Sequence, residues 1–329
     1  MPKVLVKEIL CLSLQPCNVN KKIIIMKNET VYINLLTDFG FKRIFGREEN
    51  KDILIAFLNA CLAEFSGTIT DITYLQTEQI GDRPVEKRVV FDLYCTNQHG
   101  ERFIIELQRN PQHFYADRSI SYVSRVVSQE MRRGEREYRI PKIYSINILD
   151  FEADEFKGEK DYFWPVQLKD KNNKIFSKKI TLIFIELNKF AARNQTSEFS
   201  GELQKWLYLL KNISKMKVPD KRLQDGIFRK LFDNCEYSKL NTMEKEAYRK
   251  SVLDYEDVQD AVRYAQEEAL KEGFEKGKEE GREEGREEGL AQGRYEEKKQ
   301  IALTMMAEGF DLHVISNITN LSEEEIMSF

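Results

Sequence analysis

The sequence predicts an α/β protein: a mixed β-sheet core flanked by helices and continued by a helical C-terminal region. Three observations carry that expectation. Two runs rich in β-branched and aromatic residues flank Asn97-Gln98-His99-Gly100, which marks a hairpin with glycine at the left-handed position of a three-residue loop. Lys142 to Leu149 and Ile180 to Leu187 are nearly continuous apolar runs, the pattern of strands buried on both faces. Between the hairpin and the first of these runs, apolar residues recur at helical spacing, giving the strand-helix-strand crossover of a mixed sheet.

In chain order, residues 1–28 carry little periodicity and read as a loose extension to a core over 29–198. From Leu35 to Glu64 apolar residues recur at helical spacing (Ile53, Phe57, Leu58, Cys61, Leu62), with Asn50 or Asp52 as the cap and Phe39, Phe41, Ile44 and Phe45 packed at the start. Asp38 and Lys42, four residues apart, suit a helical ion pair. Ile69 to Leu75, Glu86 to Cys95 and Arg102 to Gln108 read as strands. After Pro111 a helix is expected, with Ile120, Val123, Val127 and Met131 on its buried side and Gly134 past its end. Arg118, Tyr122 and Arg125 fall on a neighbouring face.

Beyond Glu198 the pattern is helical, and residues 199–270 read as a subdomain of helices over Glu202 to Met216, Lys221 to Phe232, and from Asn241 onward. At that last start, Asn-Thr-Met-Glu has the form of a capping box. Within 271–300, Gly273, Gly277, Gly281, Gly285, Gly289 and Gly293 repeat every four residues. Each glycine costs a helix about 1 kcal/mol relative to alanine. The stretch reads either as a charged, partly helical linker or as a glycine stripe along which two helices approach. Residues 301–329 read as short helices broken at Gly309 and at Asn320-Leu321-Ser322, similar in outline to a helix-turn-helix. Its second helix carries almost no basic residues, which favours a packing or homo-oligomerisation module over a DNA reader.

Composition excludes several classes. The 329 residues carry 51 Lys and Arg against 55 Asp and Glu, a net charge of −4, so no global basic field points to a polyanion partner. Between Arg102 and Lys142, however, nine basic residues stand against five acids. The five cysteines (Cys11, Cys17, Cys61, Cys95, Cys235) are scattered and form no CxxC pair, which fits a reducing, cytoplasmic setting. No apolar run approaches the ~20 residues of a membrane span. The start of the chain lacks the form of a signal peptide. Three histidines, His99, His113 and His313, supply neither a zinc-hydrolase motif nor a nucleophilic triad.

The chemistry concentrates in KRVVFDLYCTNQHGERFIIELQ, Lys87 to Gln108. If Gln98, His99 and Gly100 form the loop, Asn97 faces Glu101, and counting outward sets Asp92 opposite Glu106 with Cβ atoms roughly 4.5 to 5.5 Å apart. Alternation puts Gln108 on the face of Glu106, and Val89, Phe91, Leu93, Phe103, Ile105 and Leu107 on the other. Two close carboxylates repel, and either one takes a proton or a cation lies between them. Mg²⁺ suits two facing acids beside a backbone carbonyl. The alternative is a pair of solvated acids on a polar sheet face. Val90 and Ile104, on the acids' face, favour the first reading by offering apolar cover.

These residues resemble the PD-(D/E)XK nuclease signature, here as D-x13-E-x-Q. More closely, TDFGFKRIFGREENKDILIAFLNACL (Thr37 to Leu62), VVFDLYC, FIIELQR, the Arg118 and Tyr122 pair and the Gly-periodic tail are similar to the Rpn family of recombination-promoting nucleases and transposases, over most of the chain. The resemblance implies a restriction-endonuclease-like fold and a Mg²⁺-dependent DNA endonuclease acting on double-stranded DNA in recombination or transposition. It implies Asp92, Glu106 and the Leu107 carbonyl as metal ligands, and Gln108 where the wider signature has lysine. A glutamine there orients water but carries no charge to the transition state. Arg109, Arg118 and Tyr122 are candidates for holding the substrate, and Asp38 is a further candidate for the metal. Arg118 is equally readable as a solvated residue stacked on Tyr122. Two competing readings remain at this level: an inactive nuclease fold that binds DNA or protein, and an assembly protein dominated by its helical tail.

Overall fold

The computed structural model describes residues 30–79, 89–112, 114–131, 139–193, 198–224 and 226–329. The expected extension at 1–28 and Gly134 lie outside them. The chain divides into two compact units, Met1–Gln259 and Asp260–Phe329.

In the first unit, the helical run expected from Leu35 to Glu64 is two helices, α1 (Asp38–Phe45) and α2 (Lys51–Leu62), joined through a 3₁₀ turn. Thr37 caps α1, its hydroxyl accepting the Gly40 N–H at 3.0 Å. Asn50 precedes α2 but makes no side-chain cap bond. Then follow β1 (Ile72–Tyr74), β2 (Glu78–Gln79), β3 (Val89–Val90), β4 (Leu93–Asn97), β5 (Arg102–Gln108), α3 (Tyr115–Glu130), β6 (Ile143–Leu149), β7 (Phe163–Lys169) and β8 (Ile175–Glu186). Helices α4 (Leu187–Arg193), α5 (Glu202–Asn212) and α6 (Gly226–Cys235) follow, and α7 (Thr242–Ala307) starts in this unit and continues into the second.

The main sheet has the order β1-β4-β5-β6-β8-β7. β4 and β5 are antiparallel, whereas β5, β6 and β8 run parallel, with α3 as the crossover, so the sheet is mixed as the sequence predicts. β6 is buried at every position, matching its unbroken apolar run. β7, the edge strand, has no clear alternation and contains Pro165, which is tolerated at an edge where no neighbour needs its N–H.

The hairpin register is the expected one: Leu93 faces Ile105 and Thr96 faces Arg102. Gly100 has φ +73° and donates its N–H to the Asn97 carbonyl at 3.0 Å. The strand expected from Glu86 to Cys95 is not continuous, however. β3 pairs with β2 in a separate two-stranded ribbon, and the chain leaves the ladder at Phe91 and Asp92 before β4 begins. The predicted alternation fails there. Val89 and Phe91 pack with Tyr94 and Ile104 beneath α3 rather than beside Leu93, and Val90 is 47% exposed and covers nothing.

The larger core joins the Leu93, Phe103, Ile105, Ile146 and Ile183 side of the sheet to α1, α2, α5 and α6. Trp206 is its centre, ringed by Phe45, Phe57 and Phe228 at 4.9 to 6.2 Å. On the opposite side α3 buries Tyr115, Ser119, Val123 and Val126. Ile120 and Met131, expected inside, are exposed. The helix is turned so that Tyr115 and Ser119 meet a buried polar group of β6, which the apolar pattern alone does not reveal.

In the second unit α7 is continuous through all six periodic glycines, at each of which a Cβ would meet nothing within 4 Å. Its start, in the first unit, is capped as expected: Glu244 N–H donates to Asn241 Oδ1 at 2.9 Å and Asn241 N–H to the Glu244 carboxylate at 3.1 Å. α8 (Leu312–Thr319) and α9 (Glu323–Met327) fold back on the end of α7 around Ala302, Ile315, Leu321 and Ile326. No helix among the described residues is long and apolar enough to cross a membrane.

Candidate active site

Where β4 stops short, backbone bonds that a ladder would supply are replaced by side chains. Asp92 N–H donates to Glu106 Oε1 at 3.1 Å, and Leu107 N–H donates to Asp92 Oδ2 at 2.8 Å. Each carboxylate is thereby held against the backbone of the other's segment. In extended chain a residue's N–H and C=O point to the same edge, so the Leu107 carbonyl faces the space β4 leaves open, beside Asp92. Gln108 shares the strand face of Glu106. Its amide donates to the Asn110 carbonyl at 3.2 Å, while Asn110 Oδ1 is buried with no partner among the described residues.

Glu106 is 4% exposed. Burial, reinforced by the Asp92 charge, pushes its carboxyl up to about 8. Burial also raises Asp92, against the pull of the Leu107 N–H. The cations whose charge reaches the pair are Arg118 and Lys42 on Glu106, and Lys42 and Arg109 on Asp92. Together they do not offset the burial. The donor set, two crowded hard oxygen anions beside a carbonyl, fits a divalent cation such as Mg²⁺. Among the described residues no cluster of three or more His, Cys, Asp or Glu is assembled for a metal.

α3 roofs the pair. Arg118 Nε donates to the Tyr122 hydroxyl at 2.8 Å and lies over that ring at 5.1 Å, and its NH1 donates to Gln112 at 2.7 Å. Arg118 is thus stacked on Tyr122 and also acts on Glu106. Beneath it, Tyr115 Oη donates to Asn147 Oδ1 at 3.1 Å, and Asn147 is the β6 residue in register with Glu106. Asn147 Nδ2 in turn donates to the Ser145 and Ile183 carbonyls. The only sequence signal for this network is a Ser and an Asn inside the otherwise apolar IYSINIL.

Asp38 pairs with Lys42 at 2.7 Å, both half-exposed, as the i,i+4 spacing suggests. Their helix lies close to the acids. A Cβ on Gly46, just past α1, would fall 2.7 Å from the Lys42 carbonyl and 2.9 Å from Leu93 Cδ2, so the end of α1 is pressed on the residue after Asp92. Lys42, read from sequence only as the partner of Asp38, is therefore a cation of the site. Asp38, Lys42, Arg43, Arg47, Lys250 and Asp254 line a cleft of ≈ 470 Å³. The basic surplus after Arg102 is only partly beside the acids. Arg102 pairs with Glu130 at 2.7 Å and Lys142 with Glu101 at 2.9 Å at the hairpin end of β5, roughly 13 Å from Glu106 at ~3.3 Å per residue. Arg132, Arg133 and Arg136 lie outside the described residues.

A family model described as PD-(D/E)XK nuclease family transposase matches residues 35–265. A second, described as the C-terminal HTH domain of the Rpn/YhgA-like nuclease family, matches residues 295–328, overlapping the 301–329 segment read from sequence as a packing or homo-oligomerisation module. No curated protein and no solved structure matches the chain.

Proposed function

The chain belongs to the PD-(D/E)XK nuclease family of transposases, and from that premise we propose that it is a Mg²⁺-dependent endonuclease of double-stranded DNA serving recombination or transposition. The observation that carries this reading is the pairing of buried Glu106 with half-buried Asp92, whose N–H it accepts, a pair at odds with its own charge until a cation joins it. Asp92, Glu106 and the Leu107 carbonyl would hold the ion. Once bound, it lowers the pKa of water and offsets charge on the scissile phosphate.

The remaining work falls to the chain. Arg118, preorganised by Tyr122 and Gln112, offers N–H groups to a phosphate oxygen, and Arg109 offers a second cation on the Asp92 side. Gln108 orients the attacking water after releasing the Asn110 carbonyl. Lys42 and Asp38 line the cleft next to α1, where Lys42 adds the charge that Gln108 lacks and Asp38 holds it in place.

The test is cleavage of supercoiled plasmid with Mg²⁺, with Mn²⁺ and with EDTA. Cleavage is expected with either metal and absent with EDTA, and Asp92→Ala and Glu106→Ala each abolish it while the fold persists. Cleavage retained in both variants places the active site elsewhere. One observation favours a second reading, an inactive DNA- or protein-binding module: Gln108 stands in the lysine position and its amide is occupied by Asn110. Metal binding without cleavage in the plasmid assay would support that reading.

A further inference from the structure

The β7–β8 hairpin extends well past the rest of the sheet. β8 pairs with β6 only from Ile180 onward, whereas Ile175 to Lys179 continue beyond it with β7 alone. The tip is well formed: Asp170 Oδ1 accepts the Asn172 and Lys174 N–H groups at 2.9 Å each, and Asn173 takes the left-handed conformation with φ +63°. This is an ordered two-stranded arm.

Its composition is one-sided. Lys169, Lys171, Lys174, Lys178 and Lys179 are all exposed, Asp170 is the one acid among residues 169–179, and it is engaged in the turn. None of the five lysines makes an ion pair among the described residues. The ladder to β7 jumps from Ser177 to Thr181, so Lys178 and Lys179 sit in a bulge, a device that re-aims side chains away from the sheet. Lysines alone would be ordinary protection of a sheet edge. The arm also exposes Phe176 at 83% and Leu168 at 51%, which edge protection would avoid.

We infer that this arm is a second DNA contact, a basic β-ribbon that lies along the duplex with its lysines on phosphates and Phe176 against the groove. Five unneutralised cations beside exposed apolar side chains match a polyanion with an apolar interior edge, and a two-stranded ribbon fits the major groove. Glu106 is in register with Asn147 and that with Phe184, which faces Trp164 on β7; Ser177 and Ile175 face Leu168 and Lys169, so Phe176 lies between four and five residues from the level of the acids when counted along β7, which carries no extra residues. At ~3.3 Å per residue the separation along the strand is roughly 15 Å, less than one turn of duplex at about 34 Å. One bound duplex can therefore reach both. The choice of duplex DNA rests on the nuclease reading above.

The test measures binding of a 30-base-pair duplex by the full chain in EDTA across a salt series. Replacing Lys174, Lys178 and Lys179 together by alanine should make the slope of log affinity against log salt shallower by about 2.7, at ~0.9 per phosphate. Phe176→Ala should weaken binding at every salt concentration with the slope unchanged. Matching urea unfolding curves verify that the variants fold, and the pair Lys178→Gln and Lys179→Gln, expected to reduce the slope by about 1.8, serves if the triple variant does not. An unchanged slope with DNA binding intact overturns the arm and leaves the nuclease reading standing. An altered oligomeric state with an unchanged DNA slope overturns it in favour of a protein contact. Absence of any salt-dependent binding by the unsubstituted chain overturns both readings.

Discussion

Replacing Glu106 by glutamine should stabilise the metal-free protein at alkaline pH while abolishing cleavage. The amide keeps the acceptor for the Asp92 N–H and removes the charge. Glu106 is carried by burial and by Asp92 from its ordinary value of 4.5 to about 8. In that window the unfolded chain has released the proton and the folded chain still holds it, so stability falls as pH rises from about 4.5 to 8 and is level above it. At ~1.4 kcal/mol per pH unit the full shift corresponds to at most about 5 kcal/mol. With Asp92 sharing the proton, the loss is smaller than that bound. The assay is urea unfolding in EDTA from pH 5 to 9, followed by tryptophan fluorescence, since Trp164 and Trp206 both lie in the first unit. The unsubstituted chain should lose stability across this range, Glu106→Gln should lose less, and Mg²⁺ at pH 8 should restore only the former. A Glu106→Gln protein less stable than its parent at pH 8 to 9 in EDTA would mean that the carboxylate is comfortably charged, and the argument for a cation would collapse.

Gln108→Ala should slow single-turnover cleavage strongly with metal affinity nearly unchanged, and Gln108→Lys should be tolerated or faster, because an ammonium adds charge at the transition state; loss of metal binding in the lysine variant would make the glutamine a ligand. Arg118→Ala should make the salt dependence of duplex binding shallower by about 0.9, and an unchanged slope would return Arg118 to stacking on Tyr122. Trp206→Ala should cost about 3 to 5 kcal/mol, since it empties the space between Phe45, Phe57 and Phe228; a loss below about 1 kcal/mol in urea unfolding would show that the core closes over the gap.

The sequence by itself determined the mixed sheet, the crossover and the register of the hairpin that brings Asp92 near Glu106, because each is written in short-range pattern. A three-residue loop with glycine at its left-handed position sets the hairpin register, and apolar runs of strand length set β6 and the inner half of β8. The family resemblance rests on these same local motifs. Only the tertiary structure decided the rest. The chain departs from the ladder at Phe91 and Asp92 because side-chain bonds to Leu107 and Glu106 take over from backbone ones, and that sends Val89 and Phe91 to the opposite face. The face of α3 was decided by hydrogen bonds from Tyr115 and Ser119 to Asn147, a partner distant in sequence, against the apolar stripe that would have buried Ile120. Lys42 became a cation of the site through the close packing of Gly46 on Leu93. In each case the deciding contact joins residues far apart in the chain, and periodicity records only what a segment does with its own neighbours.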